Sequence, residues 1–133
     1  MENLIKLITG FIGAIASFLF GGWSLLIQVL VVFIIIDYIL GVIVAAMYGE
    51  LNSKIGFRGI AKKVMILVLV AVAHSIDKIT AGDGTFIRDA VIFFYLANEL
   101  LSILETVGRT NLPIPSVLKR AVETLSNKSK SNE

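Results

Sequence analysis

Apolar residues arrive in four long runs separated by short polar breaks, and the spacing of those breaks predicts a chain built from membrane helices. The run from Trp23 to Tyr48 exceeds the roughly 20 residues needed to cross a bilayer, and it carries aromatic rings at both ends, where they favour the interface. A second span is expected over Val64 to Ile79, interrupted late by His74, Asp77 and Lys78. A third covers Phe86 to about Val107, and the short Gly-rich stretch 80–85 joins these two as an antiparallel hairpin with an extracytoplasmic turn. Residues 1–22 form an apolar N-terminal helix that is either interfacial or a fourth span. Gly10, Ala14, Ser17 and Gly21 recur along it at helical steps, a small-residue ridge that suits close approach of another helix. The predicted fold is therefore an all-α integral membrane protein with three transmembrane helices plus this N-terminal helix, assembled as a homo-oligomer.

Polar positions inside the apolar runs are patterned. Along the Phe86 run, Arg88, Tyr95, Ser102 and Arg109 recur every seven residues, with Asn98 and Glu105 at intermediate steps and Glu99 one position to the side. This stripe is either a hydrogen-bonded seam against another helix or the lining of an aqueous path made by several copies. A carboxylate at membrane depth costs about 2.5–3.5 kcal/mol on insertion scales, so it is expected to face water or a protein partner. Asp37, midway along the Trp23 run, poses the same question; Gly41 and Ala45 follow it on one helix face. It is carried neutral, hydrogen-bonded to a neighbouring helix, or paired with a cation such as Lys62 or Lys63. His74 and Asp77 share a face with Lys78 nearby, which reads as an interfacial charge cluster at a helix end in preference to a proton relay.

Composition sharpens the class. Of 133 residues, 56% are hydrophobic and 17% charged, with a mean hydropathy of +0.88, more apolar surface than a soluble domain of this size buries. The charges sit between the runs and orient the chain. Residues 49–63 read as a basic cytoplasmic connection, since Lys54, Arg58, Lys62 and Lys63 stand there against Glu50 alone. Gly56-Phe57-Arg58-Gly59 within it reads as a turn leading into the next span, because a lone GxxG beside membrane segments is weak support for nucleic-acid binding. Residues 108–133 carry Arg109, Lys119, Arg120, Lys128 and Lys130, which places this segment inside as well. Pro113 and Pro115 end the third span; Ser116 to Leu125 is a short basic amphipathic segment and Ser126 to Glu133 a disordered end. No removable signal peptide is expected, because Met1-Glu2-Asn3 lacks a basic n-region.

The chain has no cysteine and a single histidine, and no nucleophile–base–orienter set, phosphate loop or metal-ligand spacing, so neither enzyme activity nor a cofactor is expected.

Three ordered blocks resemble the phage-lysis and toxin-secretion holins of Gram-positive bacteria and their phages. They are Asp37-Tyr38 with Gly41 followed by Leu51 to Lys63; Ala73-His74-Ser75-Ile76-Asp77; and Asn98-Glu99, Ser102 to Glu105 and Leu112-Pro113-Ile114-Pro115. The resemblance runs from about Asp37 to Lys119. It departs at Leu100, where similar sequences often have Gly, and at Thr106, where Asn is common. It implies a multi-pass protein of the host cytoplasmic membrane, C-terminus inside, that contacts lipid and many copies of itself. Such an assembly opens a lesion for a cell-wall hydrolase or a toxin without requiring direct contact with either. Asp37, His74 and Glu99 at membrane depth also fit a small ion or solute transporter, and an antiholin that regulates another holin is a third alternative.

Overall fold

A computed structural model describes residues 1–131 and contains five helices: α1 (Glu2–Phe20), α2 (Leu25–Met47), α3 (Ser53–Ala81), α4 (Phe86–Gly108) and α5 (Ser116–Ser131). Local chemistry sets their ends. Gly21 closes α1 in the left-handed region at φ 76°, a conformation that glycine adopts without a Cβ penalty. Ser24 accepts from the Ile27 amide at 3.4 Å to begin α2, and Asn52 accepts from the Lys54 amide at 2.9 Å to begin α3. The N-terminus of α4 is capped from outside itself: Asp77 of α3 accepts from the backbone amides of Ile87 and Arg88 at 3.0 and 2.8 Å. A carboxylate placed there satisfies two amides with no partner inside the helix and complements the helix dipole.

The helices pack through regular stripes. On α2 the buried positions are Ile27, Leu30, Ile34, Asp37 and Val44, alternating steps of three and four with Gly41 at the skipped position. Ile27, Leu30, Ile34, Val70, Ile92 and Leu96 form the core, so α4 lies between α2 and α3. Its remaining flank is covered by α5. By contrast α1 buries no residue; its end meets the others through Phe20, which packs on the core. Outward positions on α2 and α3, among them Ile35, Ile39, Val64 and Val68, are exposed and apolar. By length and composition α1, α2 and α4 suffice to cross a membrane, so α1 is long enough for the spanning alternative. Those three do not include α3, which carries Lys54, Arg58, Lys62 and Lys63 before its apolar stretch and His74, Asp77 and Lys78 after it.

Two sequence expectations change. Residues 49–63 are not an extended connection: only 48–52 link α2 to α3, and Gly56 to Gly59 lie within the first turns of a 29-residue helix. Those glycines serve packing, because a Cβ on either would stand 3.4 Å from the Tyr38 side chain. Ser126 to Ser131 is not a disordered end but the last part of α5; residues 132–133 lie outside the described residues. The amphipathic segment after Pro115 is seated against α4. Ala121, Val122 and Leu125 are half-buried on one face and Ser129 is buried, its hydroxyl donating to the Ala90 carbonyl at 3.0 Å.

Candidate functional site: a buried charge cluster between three helices

The phase of each stripe brings three charged side chains to one point. Lys63 lies on α3 seven residues before Val70, on the face that also presents Gly56, Gly59, Ala73 and Asp77. Its ammonium is bonded to Asp37 of α2 and donates to both carboxylate oxygens of Glu99 on α4, at 2.9 and 2.8 Å. The second oxygen of Asp37 accepts from the Ser102 hydroxyl at 2.8 Å. Side-chain exposure is 6% for Asp37 and 5% for Glu99 but 21% for Lys63, so the two acids depend on this cation while the lysine keeps some access to the outside. Burying a charge is expensive unless it is paired and hydrogen-bonded, and here one lysine compensates two acids from two other helices.

Beside the cluster lies a cleft of about 260 Å³ between the ends of α2, α3 and α4, its lining including Tyr38, Gly59, Ser102 and Thr106. Its mouth is near a second contact that ties α2 to α4. The Tyr48 hydroxyl donates to the Arg109 carbonyl at 2.7 Å, the Arg109 guanidinium lies 5.0 Å from the Tyr48 ring centroid, and that guanidinium donates to Glu50 at 3.1 and 3.2 Å.

At the other end, the expected cluster of His74, Asp77 and Lys78 does not form. Asp77 is committed to the α4 amides, Lys78 points outward and is exposed, and His74 is buried against Gly21. Among the described residues, His74 Nδ1 is the one buried side-chain nitrogen or oxygen without a hydrogen-bond partner. Arg88, also buried, donates to the Phe20 carbonyl at 2.8 Å and to Asp89 at 2.9 and 3.1 Å, so it ties the end of α1 to the start of α4.

The polar stripe on α4 is therefore divided among several surroundings. Arg88 and Glu99 are buried and Ser102 faces Asp37; Tyr95 is half-buried; Asn98 is exposed at the rim of an α3–α4 groove, and Glu105 is exposed. A stripe drawn at steps of three and four runs along the edge of the buried face, since the core positions Ile92 and Leu96 lie one residue further on. Of the basic residues assigned to topology, Lys54, Arg58 and Lys62 are exposed on the first half of α3 and Lys63 alone turns inward.

Comparison with known proteins places this arrangement. The model of a bacteriophage holin family matches residues 14–127. This chain belongs to that family. An uncharacterised protein of Listeria monocytogenes is 53% identical over 100% of this chain and 94% of its own length. One from Clostridium perfringens is 41% identical over 96% and 97%. A protein of Bacillus phage phi105 described as a probable holin is 37% identical over 77% of this chain and 74% of its own length. No solved structure matches. The family match covers the whole buried cluster, from Asp37 to Ser102, and most of α5.

Lys63 as the partner of Glu99, Asp77 as the cap of α4 and the Tyr48–Arg109–Glu50 contact all escaped the sequence. A signal existed for the first two: Gly56, Gly59, Lys63, Ile66, Val70, Ala73 and Asp77 alternate steps of four and three, an inner helix face that runs straight through the supposed connection.

Proposed function

We propose that this holin-family membrane protein accumulates in the bacterial cytoplasmic membrane, assembles from many copies and permeabilises it, releasing a cell-wall hydrolase or, as in relatives of the toxin-secretion type, a toxin. The observation that carries this proposal is the closure of the single chain. Its buried acids are consumed by Lys63, Ser102 and the α4 amides, and the outward positions along α2 and the central stretch of α3 are apolar. Among the described residues, the buried polar groups of one copy thus form no continuous path of their own. A large aqueous opening requires several copies, with apolar flanks meeting lipid or one another. The same closure weighs against a transporter, which needs a site that a solute or ion reaches.

The basic residues at the start of α3 support a cytoplasmic position for the α2–α3 connection, and the contact of Tyr48 with Arg109 supports the same side for the end of α4. Induction in a bacterium, followed by entry of a membrane-impermeant dye, tests the function. Permeabilisation is expected to begin abruptly after a lag and to depend on chain density; sustained accumulation without dye entry refutes it. A chain that only delays lysis by a co-expressed holin would instead be an antiholin. Glu99→Leu is expected to retime dye entry, and Asn98→Leu to change it less, because Asn98 is exposed and Glu99 is held by Lys63.

A further inference from the structure

The fifth helix carries its charges beside α4, while the middle stretches of α2 and α3 present apolar positions such as Ile35, Ile39, Val64 and Val68. It leaves the end of α4 through Pro113 and Pro115, turns back and runs antiparallel to α4 until the Ser129 hydroxyl meets the Ala90 carbonyl, near the beginning of that helix. At 1.5 Å per residue, the thirteen steps from Ser116 to Ser129 cover about 20 Å, most of the depth of a hydrocarbon core of about 30 Å. Its inner face is seated: Ser129 is 94% buried, judged by its 6% exposure, and Leu125 packs on the core cluster. Its outer face carries Lys119, Arg120, Glu123, Lys128 and Lys130, all exposed.

Lys119, Glu123 and Lys130 share one line of α5, with Arg120 and Lys128 further round its outer half, and charges spread in this way along the depth of a membrane are too costly to face hydrocarbon together. Among the described residues nothing covers them. The flanks of α2 and α3, by contrast, present Ile35, Ile39, Val64 and Val68, which suit lipid or a second copy. Across the middle of its width the molecule is amphipathic, charged on the α5 flank and apolar along the central stretches of α2 and α3.

From this we infer that α5 remains seated on α4 in the assembled lesion and that its outer face, Lys119 to Lys130, forms the wall in contact with water. The inference rests on the holin reading and adds which surface lines the opening. Copies arranged side by side through their apolar flanks then place a ring of α5 helices inward, while α4, α2 and α3 stand behind them.

Because the natural chain lacks cysteine, single thiols can be placed without background. Ala90→Cys with Ser129→Cys, linked by oxidation or by a short bifunctional maleimide in proteoliposomes, fixes α5 on α4. Release of a trapped dye is expected to match that of the unlinked double variant within about twofold. In the same linked protein, Glu123→Cys is expected to react with a membrane-impermeant maleimide at least tenfold faster than Val68→Cys on α3. The inference is overturned if linking abolishes dye release and, for the disulfide, reduction restores it, since α5 must then leave α4 to open the lesion. It is equally overturned if Glu123→Cys is as unreactive as Val68→Cys. Should the parent chain release no dye at all, the holin reading fails separately, and the thiol rates still report whether the outer face of α5 meets water.

Discussion

Replacing Lys63 by methionine removes the one cation that compensates Asp37 and Glu99 while keeping a side chain of similar length on the inner face of α3. Breaking a buried ion pair from one side costs about 3–5 kcal/mol, because the remaining charge stays where it was without its partner. Two features of this site favour the lower bound. Lys63 retains 21% side-chain exposure, so part of its own desolvation was never incurred. Polar groups of a chain unfolded within the membrane also find alternative partners, which reduces what the native contact contributes. The expected loss is about 3 kcal/mol, roughly a hundredfold in the folded-to-unfolded ratio. Titration with sodium dodecyl sulfate in bicelles, followed by the fluorescence of Trp23, the single tryptophan, measures it. The decisive companion is the triple variant Asp37→Asn, Lys63→Met, Glu99→Gln, which removes all three charges together and retains an oxygen for Ser102 to donate to. It is expected to be more stable than Lys63→Met alone, since it leaves no unpaired charge buried between the helices. A Lys63→Met protein as stable as the parent, or a triple variant less stable than Lys63→Met alone, refutes the assignment of this cluster as a mutually compensating unit.

Other perturbations follow from the opposite end of the molecule. Gly21→Ala places a Cβ 2.5 Å from His74 Cε1 at a φ of 76°, so it is expected to destabilise by about 1–2 kcal/mol and to loosen α1, read as faster proteolysis before residue 25. Adding His74→Ala should recover the steric part and leave the backbone part; no recovery would mean that the contact is unimportant. Asp77→Ala leaves the Ile87 and Arg88 amides uncapped, with an expected loss of about 1–2 kcal/mol and accelerated amide exchange confined to the first turn of α4. Uniform exchange along α4 would argue against the capping role.

Much of the helical framework was legible from hydrophobic runs, because a stretch such as Leu25–Met47 has few alternatives once its residues are almost all apolar. The bundle's polar contacts were less so. Lys54, Arg58, Lys62 and Lys63 look alike in a charge count, and only the helical phase of α3 separates the inward-facing Lys63 from the other three. That phase was obscured by Gly56 and Gly59, which read as turn residues in a polar context but which here admit the Tyr38 ring. The fold-back of α5 was hidden for another reason: the mixed-charge stretch after Leu125 resembles a solvated tail, and its place is decided by contact with α4 rather than by its own composition. Asp77 illustrates the same limit, since a cap supplied across a turn leaves no mark in the sequence of the helix it caps.

The shared lysine also constrains how such a chain can change over generations. A substitution at Asp37, Lys63 or Glu99 taken singly leaves an unmatched group between α2, α3 and α4, whereas a change at all of them can pass with little loss. Intermediates along that route are the disfavoured step. Asp37 and Glu99 lie 26 and 36 residues from Lys63 along the chain, and the three are therefore expected to be inherited together, so that lineages differ at the whole set or at none of it.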